Sequence, residues 1–295
     1  PALAGTAAPV TMLQRSPTVF APLPRQHELA AALRALDLPD EWLHEILKRA
    51  HLARNAEVVR TSFAHPDALR AYLIGQIRPH LPEGFDIDKH FSPAYRPWQQ
   101  RVAVVPDGDL FAAIRAGQAS VVTDTIERFD ATGVQLASGQ HLDADIVVTA
   151  TGFNLQLFGG VPFRVDGEAV DFPQRVTWRG VMIEGVPNMA YLQGYFRSSW
   201  TLRVDLACDL VCRVVAHMRG QGRAMVVPTL PAADAGMARQ PWIDPENFNA
   251  GYVTRAQQRM YRQGERAPWR HDLEYDEERA VLPTVQPGEN TLAYR

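Results

Sequence analysis

The chain has 295 residues, 46% of them hydrophobic, and a formal net charge of -3. That is enough apolar side chain for one or two cores, and the near-neutral charge offers no basic footprint for nucleic acid. No apolar run reaches the ~18 residues of a membrane helix, and Cys208 and Cys212 alone cannot build a disulfide framework, so a reducing, cytoplasmic setting without a membrane span is expected.

Pro1 to Gly5 carry neither a charged n-region nor a hydrophobic signal segment, and the chain is expected to begin within a domain. Residues 10–14, with Val10, Met12 and Leu13, form an apolar run of the kind found in a buried parallel strand; Pro17 stops it from continuing. From residue 26 to 81 apolar side chains recur at helical spacing (Leu29, Leu33, Leu36, then Trp42, Ile46, Leu47). This predicts two to four helices ending before Pro82, with Asp40 as an N-cap. Residues 85–100 have little periodicity despite Phe91, Tyr95 and Trp98, and read as a long ordered loop.

A strand at 102–105, a turn at Pro106-Asp107-Gly108-Asp109 and a helix at 110–116 follow. Asp107 and Asp109 look like paired carboxylates, but their setting is that of an ordinary turn. Strands are predicted at 119–123, 126–129 and 133–136. Residues 145–150, with Ile146, Val147 and Val148, read as a second buried strand ending at Thr151-Gly152. Short strands are expected around 163–165 and 189–192. A helix over 202–217 carries Leu206, Leu210, Val214 and Met218 four apart, and Cys208 and Cys212 on it are expected to be buried structural thiols. Past Gly222, four prolines between 228 and 245 mark an irregular tail without a core of its own. His90 and His217 belong to no metal-spaced cluster, and no metal site is predicted.

Two sets of residues carry a resemblance to a known family. Asp143 to Phe153, an acidic residue, an apolar strand and a closing Ala150-Thr151-Gly152, resembles the hinge of two-dinucleotide flavoproteins, where the chain leaves the NADPH domain and re-enters the FAD domain. Around it stand His90-Phe91-Ser92-Pro93-Ala94-Tyr95-Arg96-Pro97-Trp98-Gln99-Gln100-Arg101, Val105-Pro106-Asp107-Gly108-Asp109-Leu110-Phe111, Gly185-Val186-Pro187-Asn188 and Gly194-Tyr195-Phe196-Arg197-Ser198-Ser199-Trp200-Thr201-Leu202-Arg203. Their order and spacing resemble the class B flavin monooxygenases, which include Baeyer–Villiger and ethionamide-activating enzymes, over most of the chain.

The resemblance implies an α/β fold: an incomplete two-dinucleotide-binding flavoprotein. Its expected parts are a partial NADPH domain over residues 1–142 with a helical insertion at 26–82, a returning FAD-domain portion at 143–222, and the tail at 223–295. It implies FAD and NADPH as cofactors, and a small organic substrate (ketone, thioether or amine) with O2 as co-substrate. In such enzymes NADPH reduces the flavin and a C4a-peroxyflavin performs Baeyer–Villiger or S/N-oxygenation. Arg15 and Ser16 match the position that meets the 2′-phosphate of NADPH. Arg101 matches the active-site arginine that stabilises oxyanionic intermediates. Gln100 stands where the family more often has a lysine contacting the nicotinamide cofactor. Thr151 and Gly152 fall at the cofactor-facing hinge. Gly194, Ser199, Trp200, Thr201 and Leu202 fall in the loop that closes over the isoalloxazine, ahead of a helix N-terminus suited to negative charge.

The family's Gly-x-Gly-x-x-Gly loops and its Phe-x-Gly-x-x-x-His signature are not found; Gly159-Gly160 and Gly220-Gln221-Gly222 lack the spacing. The expectation is therefore of a fragment, a truncated product or half of a split enzyme, inactive alone and missing an N-terminal half. Alternatives are a non-catalytic remnant and a flavoprotein of the two-dinucleotide disulfide-reductase type, although no C-x-x-C pair is present.

Overall fold

The apolar run at 10–14 forms strand β1 (Val10–Gln14), as expected; a second strand, β2 (Phe20–Leu23), follows within six residues. Pro22 hides β2 from sequence reading, yet among the described residues β2 pairs with a single partner, so the missing N–H can face away from the ladder. The helical block resolves into α1 (Glu28–Arg34), α2 (Asp40–Ala64) and α3 (Pro66–Ile77). Pro39 occupies the N-cap of α2, and Asp40 lies in its first turn. Residues 85–100 are not loop throughout. Asp86 caps a short helix, α4 (Ile87–Phe91), by accepting from the Lys89 N–H at 3.0 Å, and Phe91 and Ile87 bury beneath it. Then come β3 (Ala103–Pro106), α5 (Asp109–Arg115), β4 (Ala119–Thr123), and the antiparallel trio β5 (Ile126–Phe129), β6 (Gly133–Leu136) and β7 (His141–Asp143).

In this computed structural model residues 1–7, 9–271 and 273–295 are described, and the chain divides into two units, Pro1–Thr151 and Gly152–Arg295. In the first, β1 runs parallel to β4 (Val10 opposite Ala119) and β2 parallel to β3 (Phe20 opposite Ala103). Their core gathers Phe20, Ile77, Phe91, Val105, Phe111 and Val121. Phe20 meets Phe91 edge-on at 4.8 Å between ring centroids, so the short helix and the sheet pack through aromatic faces.

The expected buried strand at 145–150 does not form. Ile146 is 83% and Val148 78% exposed, and among the described residues no strand pairs with this run. Apolar sequence favours a central parallel strand only where neighbours supply ladder hydrogen bonds and covering faces, and none does so here.

The second unit contains β8 (Arg164–Val165) with β9 (Glu168–Ala169), β10 (Thr177–Trp178) with β11 (Met182–Ile183), and the long helix α6 (Trp200–Gly220). Residues 189–192 give a single bridge from Ala190 to Met182 in place of a strand. After α6 come β12 (Val226–Pro228), α7 (Gly251–Ala256), α8 (Tyr275–Val281) and β13 (Leu292–Tyr294), the last pairing with β12. The tail is not coreless: Trp242, Phe248, Val253, Tyr261 and Trp269 are all buried. These side chains bury one at a time between prolines and turns, which leaves no periodic signature to read. Cys208 and Cys212 share a face of α6 but are exposed. The buried stripe is Arg203, Ala207, Leu210 and Val214, with Leu206 and Met218 only packed against its edge.

On the β5–β6–β7 sheet, His141 bonds Asp130 through Nε2 (3.0 Å) and Asp143 through Nδ1 (3.1 Å). The hydrogen bond to Asp130 raises the imidazole pKa above its ordinary value, outweighing its partial desolvation, and the charges of Asp130 and Asp143 add to this. The pair's contribution to stability is therefore complete below the unfolded histidine pKa of ~6.5 and is lost as pH rises through the raised folded value. An NMR titration of His141 should give a midpoint above that of a histidine peptide, and His141→Asn should remove this segment of the stability–pH profile. A midpoint at or below the peptide value would contradict the geometry.

Candidate functional site

Parallel strands present their carboxyl ends to a ligand crevice, and β1 and β4 end side by side at Gln14 and Thr123. Gln14 Nε2 donates to Thr123 Oγ1 (2.8 Å) and to the His90 carbonyl (2.7 Å), and the His90 ring meets the same hydroxyl at 2.7 Å. Desolvation, with Lys89 adjacent, lowers the His90 pKa, so the ring is neutral in this polar ledge. Arg15 and Ser16 follow directly and are exposed. Among the described residues the Arg15 guanidinium has no hydrogen-bond or ion-pair partner.

Arg101 and Gln100 sit at the end of a loop that the helical insertion holds in place. Buried Ser62 on α2 donates to the Pro97 carbonyl and accepts from Arg96 Nη1 at 2.9 Å. Arg70 on α3 donates to the carbonyls of Tyr95 (2.9 Å) and Ala94 (3.3 Å). Tyr95 donates in turn to Thr18 (3.0 Å), whose hydroxyl reaches the Arg101 carbonyl (3.5 Å). One side chain, three residues past Arg15, thus ties the segment carrying Arg15 and Ser16 to the one carrying Gln100 and Arg101. The Arg101 side chain is exposed and, like that of Arg15, has no partner among the described residues. Thr151 closes the first unit and Gly152 opens the second at φ +97°; both are exposed.

In the second unit the stretch from Gly194 to Leu202 leads into α6. A Cβ on Gly194 would lie 2.2 Å from the Trp200 ring, so only glycine permits this close approach. Trp200, the first residue of α6, is 49% exposed above it. Ser199 holds the N-cap position without capping: its hydroxyl pairs with Thr201 Oγ1 at 3.0 Å, and the first-turn amides receive no side-chain cap. Leu202 is half-buried.

Behind this stretch lies a buried polar cluster. Arg203 is fully buried, and every N–H of its guanidinium is used. Nε and Nη2 donate to Glu278 at 2.7 and 2.9 Å; Nη1 donates to the Gly180 and Gln193 carbonyls at 3.0 Å each, and Nη2 also to the Arg179 carbonyl at 3.1 Å. Gly180 stands at φ +63°, and a Cβ there would lie 2.5 Å from Arg203 Nη2. Tyr195 donates to Glu278 at 2.8 Å; burial and the neighbouring carboxylate push its phenol far above the usual tyrosine range. Gln193 Oε1 accepts from Trp242 (3.1 Å) and Tyr261 (2.9 Å). His271 Nε2 donates to the Trp242 carbonyl, and burial with Arg203 nearby lowers its pKa to about 3, so it stays neutral. Sequence reading missed Arg203 and Glu278, although a signal exists: an arginine in register with Ala207, Leu210 and Val214 must find a buried partner.

The residues expected to meet cofactors thus fall into two groups, 14–16 with 100–101 in the first unit and 194–202 in the second. The first group fits a 2′-phosphorylated nucleotide, because an exposed, unpartnered arginine and a serine follow a parallel strand pair. The second, taken by itself, fits the ring end of a flavin, because the first turn of α6 has no side-chain cap. A glycine-rich pyrophosphate cradle is not among these residues.

No protein-family model matches the sequence. The chain is 44% identical over 276 residues to the FAD-containing monooxygenase EthA of Mycobacterium tuberculosis, spanning 93% of this chain and 55% of that protein. It is 40% identical over 294 residues to the probable FAD-binding monooxygenase AlmA of Acinetobacter baylyi, spanning 98% and 57%. The chain therefore spans about half the length of the curated relatives it matches. Among solved structures, an oxidized steroid monooxygenase bound to NADP superposes with a TM-score of 0.69 at 19% identity, over all of this chain and 63% of that one. OTEMO in complex with FAD and NADP superposes at 0.61 with 14% identity, over 99% and 63%. The fold is the mixed α/β fold of flavin monooxygenases, over part of their length.

The buried cluster carries a stability prediction. Arg203→Met leaves the Glu278 carboxylate buried without its cation and should cost about 3–5 kcal/mol in urea denaturation. Arg203→Lys keeps the charge but lacks the planar fork, and should lose a substantial part of this. A loss below ~1 kcal/mol for Arg203→Met would show that the pair is not closed as described.

Proposed function

We propose, on the premise that this chain resembles the class B flavin monooxygenases and is a relative of the FAD-containing monooxygenases over 55–57% of their length, that it carries the NADPH-phosphate and flavin-ring portions of an NADPH- and FAD-dependent monooxygenase. The substrate class is a small organic ketone, thioether or amine, oxygenated with O2. The observation that carries this reading is the pair of exposed, unpartnered guanidiniums of Arg15 and Arg101, on segments joined through Thr18. Both guanidiniums are available for anions.

In this reading Arg15 and Ser16 hold the 2′-phosphate through charge-assisted hydrogen bonds. Gln100 takes a neutral, hydrogen-bonding part beside the nicotinamide cofactor where relatives of this type carry a lysine. Arg101 offers fixed positive charge to a developing oxyanion. Thr151 and Gly152 line the hinge with open backbone. The first turn of α6, with Ser199, Thr201 and Leu202, directs N–H groups at the electron-rich edge of the flavin, and Trp200 over Gly194 excludes water. When bound, the flavin and nicotinamide supply the redox and oxygen chemistry.

Replacing Arg15 by Ala should weaken adenosine 2′,5′-bisphosphate by about one to two decades, the scale of a charge-assisted contact, and leave 5′-AMP nearly unchanged. Equal losses for both would reject the phosphate role. In a flavin-loaded enzyme carrying these residues, Arg101→Ala should leave flavin reduction intact and lower oxygenation by about a hundredfold; an unchanged product yield per NADPH would make Arg101 scaffold. Because residues 1–295 contain no glycine-rich pyrophosphate loop, the purified chain alone should be colourless after incubation with FAD. A stoichiometric yellow protein would show that another segment cradles the pyrophosphate.

A further inference from the structure

Three side chains of the stretch 194–203 reach the same short piece of the C-terminal tail. Tyr195 donates to Glu278 at 2.8 Å, Arg203 forks onto both oxygens of Glu278, and Arg197 pairs with Glu274 while also donating to the carbonyl (3.2 Å) and side-chain oxygen of Asn247. Tyr275, between the two carboxylates, meets the Tyr195 ring edge-on at 6.1 Å. Glu274 is the N-cap residue of α8 and Glu278 lies one turn later, so both carboxylates fall on one side of the helix start. Asp276 pairs with Arg279 on the exposed surface.

We propose that Glu274 and Glu278 are positioning residues, and that the segment 274–278 is a strap that sets the conformation of the loop 194–202. The inference rests on the reading of that loop as the flavin-facing one. It goes further by assigning the loop's geometry to two carboxylates 75–83 positions downstream, in the C-terminal tail. Ser199 leaves the α6 N-terminus without a side-chain cap, the bond by which an N-cap residue commonly fixes the approach of a loop to its helix. The burden falls on the distant ties. Glu278 is 6% exposed and paired to a fully buried arginine, whereas Glu274 is 33% exposed, so the strap has a fixed end and a releasable one.

Hydrogen exchange of the 295-residue chain, read by mass spectrometry, tests this without any cofactor. Glu274→Gln and Glu278→Gln should each speed exchange in peptides covering 194–203 by about tenfold or more, the scale of losing one charge-assisted hydrogen bond, with β1 and β4 unchanged. Glu278→Asp, which keeps the carboxylate, should recover part of the protection. Arg213→Gln is the control: Arg213 holds the tail further on, through the carbonyls of Leu282 and Val285 at 2.6 Å, and its loss should speed exchange at 281–286 only. If Glu278→Gln fails to fold, Glu274→Gln, at the half-exposed end, still reads the loop. Unchanged exchange at 194–203 in Glu274→Gln, or an equal rise in Arg213→Gln, would overturn the strap. Neither result depends on flavin binding, so failure of the monooxygenase reading stays distinguishable.

Discussion

The second unit is organised around one buried charge. Taking a guanidinium out of water costs several kcal/mol unless every donor finds an acceptor, and Arg203 meets that demand with a carboxylate and three carbonyls. The acceptors come from distant parts of the sequence: the β10–β11 turn at Arg179 and Gly180, the residue ahead of the loop at Gln193, and α8 at Glu278. None can shift alone without stranding a buried N–H. Gly180 belongs to this arrangement, because any side chain there would occupy the place of the guanidinium. Such a pair adds little net stability over an apolar replacement, so its value lies in fixing which backbone segments meet.

The first unit presents a different arrangement, in which the Arg15 and Arg101 guanidiniums have no partner among the described residues. Its parallel strand pairs are short, and the insertion helices do the work of steadying the connecting loop. Side-chain hydrogen bonds of Ser62, Arg70, Arg96 and Tyr95 run to backbone carbonyls, to one another or to Thr18, and none of these ends on the Arg101 guanidinium. α2 therefore earns its place despite having Ser62 as its only fully buried residue.

Much of the first unit is legible in the sequence because local patterns decide it. β1, β4, β5, β6 and the helical block announce themselves by period, and turns by Pro-Asp-Gly-Asp and Ser-Gly-Gln. What misleads is context. Ile146 to Val148 has a central strand's composition, but composition cannot say whether neighbouring strands are there to pair with it. Residue type places Cys208 and Cys212 in the interior, whereas the helix turns Ala207 and Leu210 inward instead. The tail hides its core because Trp242, Phe248 and Trp269 bury from irregular backbone. At the candidate site, Arg15, Ser16 and Arg101 could be picked out by motif, but the ties through Thr18 and Glu278 span 83 and 75 positions and leave no local trace. Only the charged residue within the apolar stripe of α6 hints at the second of these.

The outward placement of Cys208 and Cys212 has a practical corollary. Four positions along a helix advance roughly 6 Å, a little over one turn, so the two sulfur atoms project from neighbouring points of one solvent face. A reagent with two thiol-reactive arms fits that spacing and is immobilised at both ends. Spectroscopic labels attached in this way follow the axis of α6 itself, free of the wobble of a singly tethered group, and no residue has to be engineered to introduce them.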